Sequence, residues 1–166
     1  MPTLYIALGS NIFPRIQFLR KGIQALKKEK INISQASSLY LTSPVGFKNQ
    51  PSFLNAVVWA YTKLSAQELL KLFKQIEKQT GRVPGKRFGP RTLDLDLLLY
   101  DRLRLISKKL ILPHPRMTKR RFVLVPLLEI SPKLKTLDGK EGKPYHFFLS
   151  KLTPIQKVKL YRKNWI

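Results

Sequence analysis

Hydrophobic positions along this 166-residue chain change their spacing several times, and each change marks a predicted element. Leu4-Tyr5-Ile6-Ala7-Leu8 is an apolar run of strand length, and Gly9-Ser10-Asn11 reads as the turn that ends it and caps a helix. Ile12, Ile16, Leu19, Ile23 and Leu26 then recur at helical spacing, with Pro14 placed early, where its missing N–H costs little. Residues 31–41 alternate loosely and predict a second strand, followed by a long loop over 42–52 that holds two prolines and a glycine. Residues 53–62 predict a third strand with Asn55 as its polar exception. Ser65-Ala66-Gln67-Glu68 has the form of a capping box, and Leu69, Leu70, Phe73 and Ile76 give the helix behind it an apolar stripe up to Gly81. A basic loop containing Gly81, Gly85 and Gly89 leads into a fourth strand over 94–100.

The order βαββαβ is that of a ferredoxin-like split unit, an α+β fold with an antiparallel sheet and helices on one face. Beyond Tyr100 the pattern predicts a hairpin (103–106 with 110–112), the turn Pro113-His114-Pro115-Arg116, an apolar helix near 122–130 and a short helix from about Tyr145. These additions would cover the second sheet surface and give three αβα layers. No repeat or linker interrupts the chain, so a single domain over 1–166 is expected.

Composition narrows the class. A hydrophobic content of 43% suits a packed core, and no apolar run reaches the length of a membrane span. The first residues lack the basic then apolar pattern of a signal peptide, and a cytoplasmic protein without membrane contact is expected. Without cysteine, disulfides and thiol chemistry are excluded. The net charge of +23, from 32 Lys and Arg against nine acids, raises a rival: a basic ferredoxin-like RNA-binding domain without catalysis. The excess is spread, however. Residues 102–121 carry eight basic side chains and no acid; residues 151–166 carry five and none, and suit a solvated helix face. Such a field also steers small anionic substrates.

Against this scarcity of acids, Asp94 and Asp96 stand two apart in a strand and so project to one face. An edge strand with one wet face would explain the pair as plain alternation. Leu97, Leu98 and Leu99 continue without alternation, however, which indicates a strand buried on both faces. Two carboxylates held there call for a compensating cation. Arg82, Lys86, Arg87 and Arg91 precede them, and a divalent metal beside a basic loop suits a polyphosphate, because Mg²⁺ binds through one or two carboxylates plus substrate phosphates.

Four strings, Tyr5-Ile6-Ala7-Leu8-Gly9-Ser10-Asn11, Gln50-Pro51-Ser52-Phe53-Leu54-Asn55-Ala56, Gly89-Pro90-Arg91-Thr92-Leu93-Asp94-Leu95-Asp96 and Pro113-His114-Pro115-Arg116-Met117, together resemble the 6-hydroxymethyl-7,8-dihydropterin pyrophosphokinases of folate synthesis. The resemblance runs from residue 4 to about 132. It implies transfer of the pyrophosphoryl group of ATP, as co-substrate, to the hydroxymethyl oxygen of the reduced pterin, with two Mg²⁺ ions and release of AMP. It also implies that Asp94 and Asp96 hold both metals and that Arg82 and Arg91 clamp phosphates. Glu77, Arg87, His114 and Arg120 would join those arginines on the ATP side. Thr42, Pro44, Val45, Phe53, Asn55 and Phe122 would form the pterin pocket, the two aromatics sandwiching the ring. The amide of Asn55 suits a donor and acceptor edge, and would equally suit a local backbone contact. Phe88, Pro115 and Lys74 depart from the resembling pattern, so adenine contacts are not carried over. The expected partners are the two small substrates, with no specific nucleic acid, and the expected state is a monomer.

Overall fold

Strand β1 (Thr3–Ser10) runs through the middle of an antiparallel sheet, and its apolar alternation serves both faces. The computed structural model describes residues 1–46, 49–83, 89–137 and 142–166. Arg87, with Lys86 and Phe88, lies outside the described residues.

β1 pairs on one side with β4 (Phe53–Tyr61) and on the other with β5 (Asp94–Tyr100). β4 is long enough to take two partners on its far side, β2 (Asn32–Ala36) against 58–61 and β3 (Leu39–Thr42) against 53–55. The order β5-β1-β4-β2/β3 is that of the split βαβ unit expected from the sequence. The second predicted strand is two strands, because the chain bends at the buried Ser37-Ser38 pair. Hydroxyls replace the missing ladder bonds there. Ser37 Oγ accepts from Val57 N at 3.0 Å and donates to Ser38 O at 2.8 Å, and Glu129 accepts from both Ser38 N and Ser38 Oγ.

Helices α1 (Arg15–Lys28) and α2 (Ala66–Gln79) cover one sheet face. Leu19, Ile23 and Leu26 of α1 and Leu69, Phe73 and Ile76 of α2 pack against Leu4, Ile6, Leu8 and Leu95. The capping box forms as expected: Ser65 Oγ accepts from Glu68 N at 3.3 Å, and Glu68 Oε2 accepts from Ser65 N at 2.7 Å. α1 begins later than expected. The strand continues through Gly9 and Ser10, no side chain caps the helix, and Ile12 lies outside it, 37% exposed.

On the opposite face, α3 (Arg121–Ile130) and α4 (Tyr145–Lys151) pack through Val123, Leu124, Leu127 and Tyr145 onto Val57 and Leu98. β6 (Leu105–Ile106) and β7 (Ile111–Leu112) form a hairpin shorter than predicted. Residues 151–166 are not a basic helix face. Their centre is β8 (Val158–Arg162), which pairs with β3 and extends the sheet. Beyond it Trp165 is buried; its Nε1 donates to Ser37 O at 2.8 Å, and Arg20 Nε donates to Trp165 O at 2.7 Å. Among the described residues no helix is long and apolar enough to cross a membrane.

Candidate active site

Cross-strand neighbours share a face, so the ladder itself assembles the site. Asp94 lies opposite Gly9, Gly9 opposite Asn55, and Phe53 opposite Thr42, all on the α3 side of the sheet at the end that α3 leaves open. A cleft opens there. Its lining combines Thr42, Val45, Phe53, Asn55 and Phe122 with the charged Arg91, Asp94, Asp96 and Arg120. Gly9, Ser43, Gly89 and Arg116 complete the lining and were not singled out from the sequence as site residues. Pro44 stands between two lining residues, and neither it nor Glu77, Arg82 or His114 is among the residues that line the cleft; Arg82 reaches it through Asp94.

Both oxygens of Asp94 are engaged. Arg82 Nη1 donates to Oδ1 at 2.9 Å, and Arg91 Nη1 donates to Oδ2 at 2.5 Å. Arg82 is itself placed by Glu77, whose Oε1 lies 2.5 Å from the same guanidinium nitrogen. Glu77 reaches from α2 to β5. It is 2% exposed, accepts from Leu95 N at 2.9 Å and pairs with Lys74 at 3.1 Å. Burial pushes its carboxyl above the usual range, while the Leu95 amide and the cations of Arg82 and Lys74 pull it down. In this arrangement Glu77 positions Arg82.

Asp96 is more open and faces Arg120, with Nη1 to Oδ2 at 3.6 Å. Arg120 lies 5.4 Å over the Phe122 ring, so one cation borders both the acidic and the aromatic side. Burial lowers the pKa of Arg120, and the negative charge of Asp96 opposes that shift. His114 is fixed by the bond from its backbone N to Leu98 O at 2.9 Å, and its Nδ1 accepts from Arg116 N at 3.2 Å. Burial holds the imidazole below its ordinary value, against the pull of Asp96 and together with the repulsion of Arg120 and Arg116.

On the aromatic side Asn55 Nδ2 donates to Thr42 Oγ1 at 2.6 Å. A Cβ on Gly9 would stand 2.8 Å from Asn55 Oδ1, so glycine is the residue that lets this amide lie across β1. The site thus offers an amide and two aromatics in one cleft with a carboxylate pair flanked by guanidiniums.

The donor set suits a hard divalent cation of a particular kind. Asp94 and Asp96 supply carboxylate oxygens at the cleft wall, and among the described residues no group of three or more His, Cys, Asp or Glu surrounds them. Mg²⁺ binds through one or two carboxylates and completes its shell with waters and substrate phosphates, so these oxygens would fit it.

The 7,8-dihydro-6-hydroxymethylpterin-pyrophosphokinase family model matches residues 5–132. A 2-amino-4-hydroxy-6-hydroxymethyldihydropteridine pyrophosphokinase of Bacillus subtilis is 46% identical over 132 residues, covering 79% of each chain. The enzyme of that name from Aquifex aeolicus is 43% identical over 134 residues, 81% of this chain and 83% of its own. A mitochondrial folate synthesis bifunctional protein of Arabidopsis thaliana is 48% identical over 125 residues, 75% of this chain and 23% of the relative. The chain therefore spans about a quarter of that bifunctional relative and about four-fifths of the two pyrophosphokinases. Among solved structures, Plasmodium falciparum HPPK-DHPS with pterin and p-hydroxybenzoate superposes with a TM-score of 0.70 at 15% identity, over 90% of this chain and 43% of the other. That likeness is one of fold. The RNA-binding alternative finds no support: the sheet face it would need is covered by α3 and α4, with Tyr5 and Trp59 packed beneath them.

Proposed function

Because the chain belongs to the 7,8-dihydro-6-hydroxymethylpterin-pyrophosphokinase family, we propose that it transfers the pyrophosphoryl group of ATP to the hydroxymethyl oxygen of 6-hydroxymethyl-7,8-dihydropterin. The hydroxymethyl oxygen attacks the β-phosphorus and gives up its proton to water, the bond from that phosphorus to the α–β bridging oxygen breaks, and AMP leaves. The observation that carries this reading is the junction of two recognition surfaces in one cleft, the Asn55 amide with Phe53 and Phe122, and the Asp94–Asp96 pair among arginines.

Each residue has a definite task. Asn55, held by Thr42, presents its carbonyl oxygen to the ring's donor edge, and the two phenylalanines enclose the faces of the ring. Val45 and the backbone about Pro44 close the rim. Arg82 and Arg91 bind phosphate oxygens with planar guanidiniums and stabilise charge as the bridge bond breaks. Arg120 and His114 sit beside Asp96 at the nucleotide side, and Glu77 sets Arg82. Arg87 belongs to the same basic loop and is assigned to ATP on its sequence position alone. Asp94 and Asp96 would hold two Mg²⁺ ions, which when bound supply neutralisation of the polyphosphate charge. We place this activity in a single domain of a cytoplasmic monomer.

The test is pterin-dependent AMP formation by the full chain and by Asp94→Asn and Asp96→Asn. The unsubstituted protein should turn over, and each variant should lose about 10²–10³-fold in kcat with unchanged circular dichroism. Undiminished turnover in either variant removes that carboxylate from the site.

A further inference from the structure

The residues that line the aromatic half of the cleft come from segments distant in sequence. Thr42 and Ser43 leave β3, whereas Arg120 and Phe122 open α3. One short stretch ahead of β8 touches both. Lys157 O accepts from Ser43 N at 3.2 Å, and Val158 pairs with Thr42. One residue earlier, Gln156 Oε1 accepts from Arg121 N at 2.7 Å.

That amide is the first of α3, and the residue before it, Arg120, makes no side-chain cap bond. The first N–H groups of a helix have no partner within it, so an acceptor from outside fixes where the first turn starts. Gln156 supplies it from the C-terminal segment, which lies beyond the 5–132 stretch matched by the family model. Arg121 stands between Arg120, which faces Asp96, and Phe122, which lines the cleft. Fixing its amide therefore fixes the first turn of α3, which carries Phe122, whereas Arg120 precedes the helix and is held by its own pair with Asp96.

We infer that Gln156 is a positioning residue of the ring pocket, tying the start of α3 to the β3 wall through the adjoining Lys157 carbonyl and so setting the gap that Phe122 closes. This rests on the ring-binding role proposed above for that half of the cleft. The requirement is an acceptor at the side-chain end. Glutamate keeps one, and its charge is favourable beside a helix N-terminus. Leucine keeps the approximate size and removes the acceptor.

The experiment uses the full chain with Gln156→Leu and Gln156→Glu. Affinity for the pterin is measured by calorimetry in the presence of Mg²⁺ and a saturating ATP analogue with a methylene α–β bridge; affinity for that analogue is measured separately, with thermal unfolding as control. Gln156→Leu should weaken pterin binding by at least about fivefold, leave analogue binding within about twofold, and be reversed in Gln156→Glu. Unchanged pterin affinity in Gln156→Leu overturns the inference, as does a common loss for both ligands that follows a lowered Tm. Failure of the unsubstituted chain to bind pterin overturns the ring-pocket reading itself, and this inference with it.

Discussion

Asn11 and Arg91 hold each other by two hydrogen bonds: Arg91 N donates to Asn11 Oδ1 at 2.7 Å, and Asn11 N donates to Arg91 O at 3.1 Å. The other end of the same buried side chain reaches the loop before β4. Its Nδ2 donates to Gln50 Oε1 and to Pro51 O, both at 3.0 Å. One amide thus fastens Arg91, which pairs with Asp94, to the segment that leads into Phe53. Asn11→Ala leaves a buried N–H without its acceptor, at a cost of about 1–3 kcal/mol in stability. It should also lower kcat by about 10²-fold, because Arg91 loses its placement. Thermal unfolding and steady-state kinetics check this, and a normal kcat in a destabilised variant would separate the clasp from catalysis.

Gly9→Ala probes the amide edge without touching a polar group. The added Cβ would meet Asn55 Oδ1 at 2.8 Å and drive the side chain out of line with Thr42. Pterin affinity should fall at least about tenfold, with nucleotide affinity preserved. Calorimetry with each ligand distinguishes this from general damage to the sheet.

Asp94 predicts an unusual response to metal. Arg82 and Arg91 already neutralise it, so a cation entering alone must displace two guanidiniums. Millimolar Mg²⁺ without nucleotide should therefore move Tm by less than about 1 °C, and Mg²⁺ with ATP by several degrees, since only species that bind the folded state stabilise it. Strong stabilisation by Mg²⁺ alone would show that the arginines do not guard the carboxylate. Chelation should stop AMP formation without unfolding the protein.

Tyr40, the cross-strand neighbour of Asn55, gives a pH test that does not involve the carboxylate pair. Burial first, then the hydrogen bond donated to Glu129 at 2.9 Å and the charge of Glu129, push its pKa up from 10.0 to about 12. A raised folded value means that its contribution to stability is complete below pH 10 and is lost as pH rises from 10 to about 12. Phenolate absorbance, assigned by difference with Tyr40→Phe, should show ionisation near 12, and Glu129→Gln should lower that midpoint while leaving the part due to burial.

Local signals made most of the fold legible. The Ser65–Glu68 capping box and the stripe Leu69, Phe73, Ile76 placed α2 because their partners lie within a few residues. The Asp94-x-Asp96 spacing placed both acids on one face for the same reason. What escaped depends on distant partners. Ser37 and Ser38 break a strand because Val57 and Glu129 bond their polar groups, and Gly9 and Ser10 continue β1 rather than cap a helix because they pair with Asn55 and Leu54, while Asn11 bonds Arg91. β8 is short, basic and at the edge, so its alternation was hidden, and with it the contacts of Gln156. The burial of Glu77 and its hold on Arg82 across to β5 was equally invisible, since an acid on an amphipathic helix ordinarily faces water.

The central claim concerns which phosphorus is attacked, and product analysis reads it directly. The full chain is incubated with Mg²⁺, 6-hydroxymethyl-7,8-dihydropterin and ATP labelled at the γ-phosphate, and the products are separated and followed by phosphorus NMR. Attack at the β-phosphorus gives AMP and a labelled pterin diphosphate in equal amounts. ADP with a pterin monophosphate, or nucleotide consumption indifferent to the pterin, would contradict it.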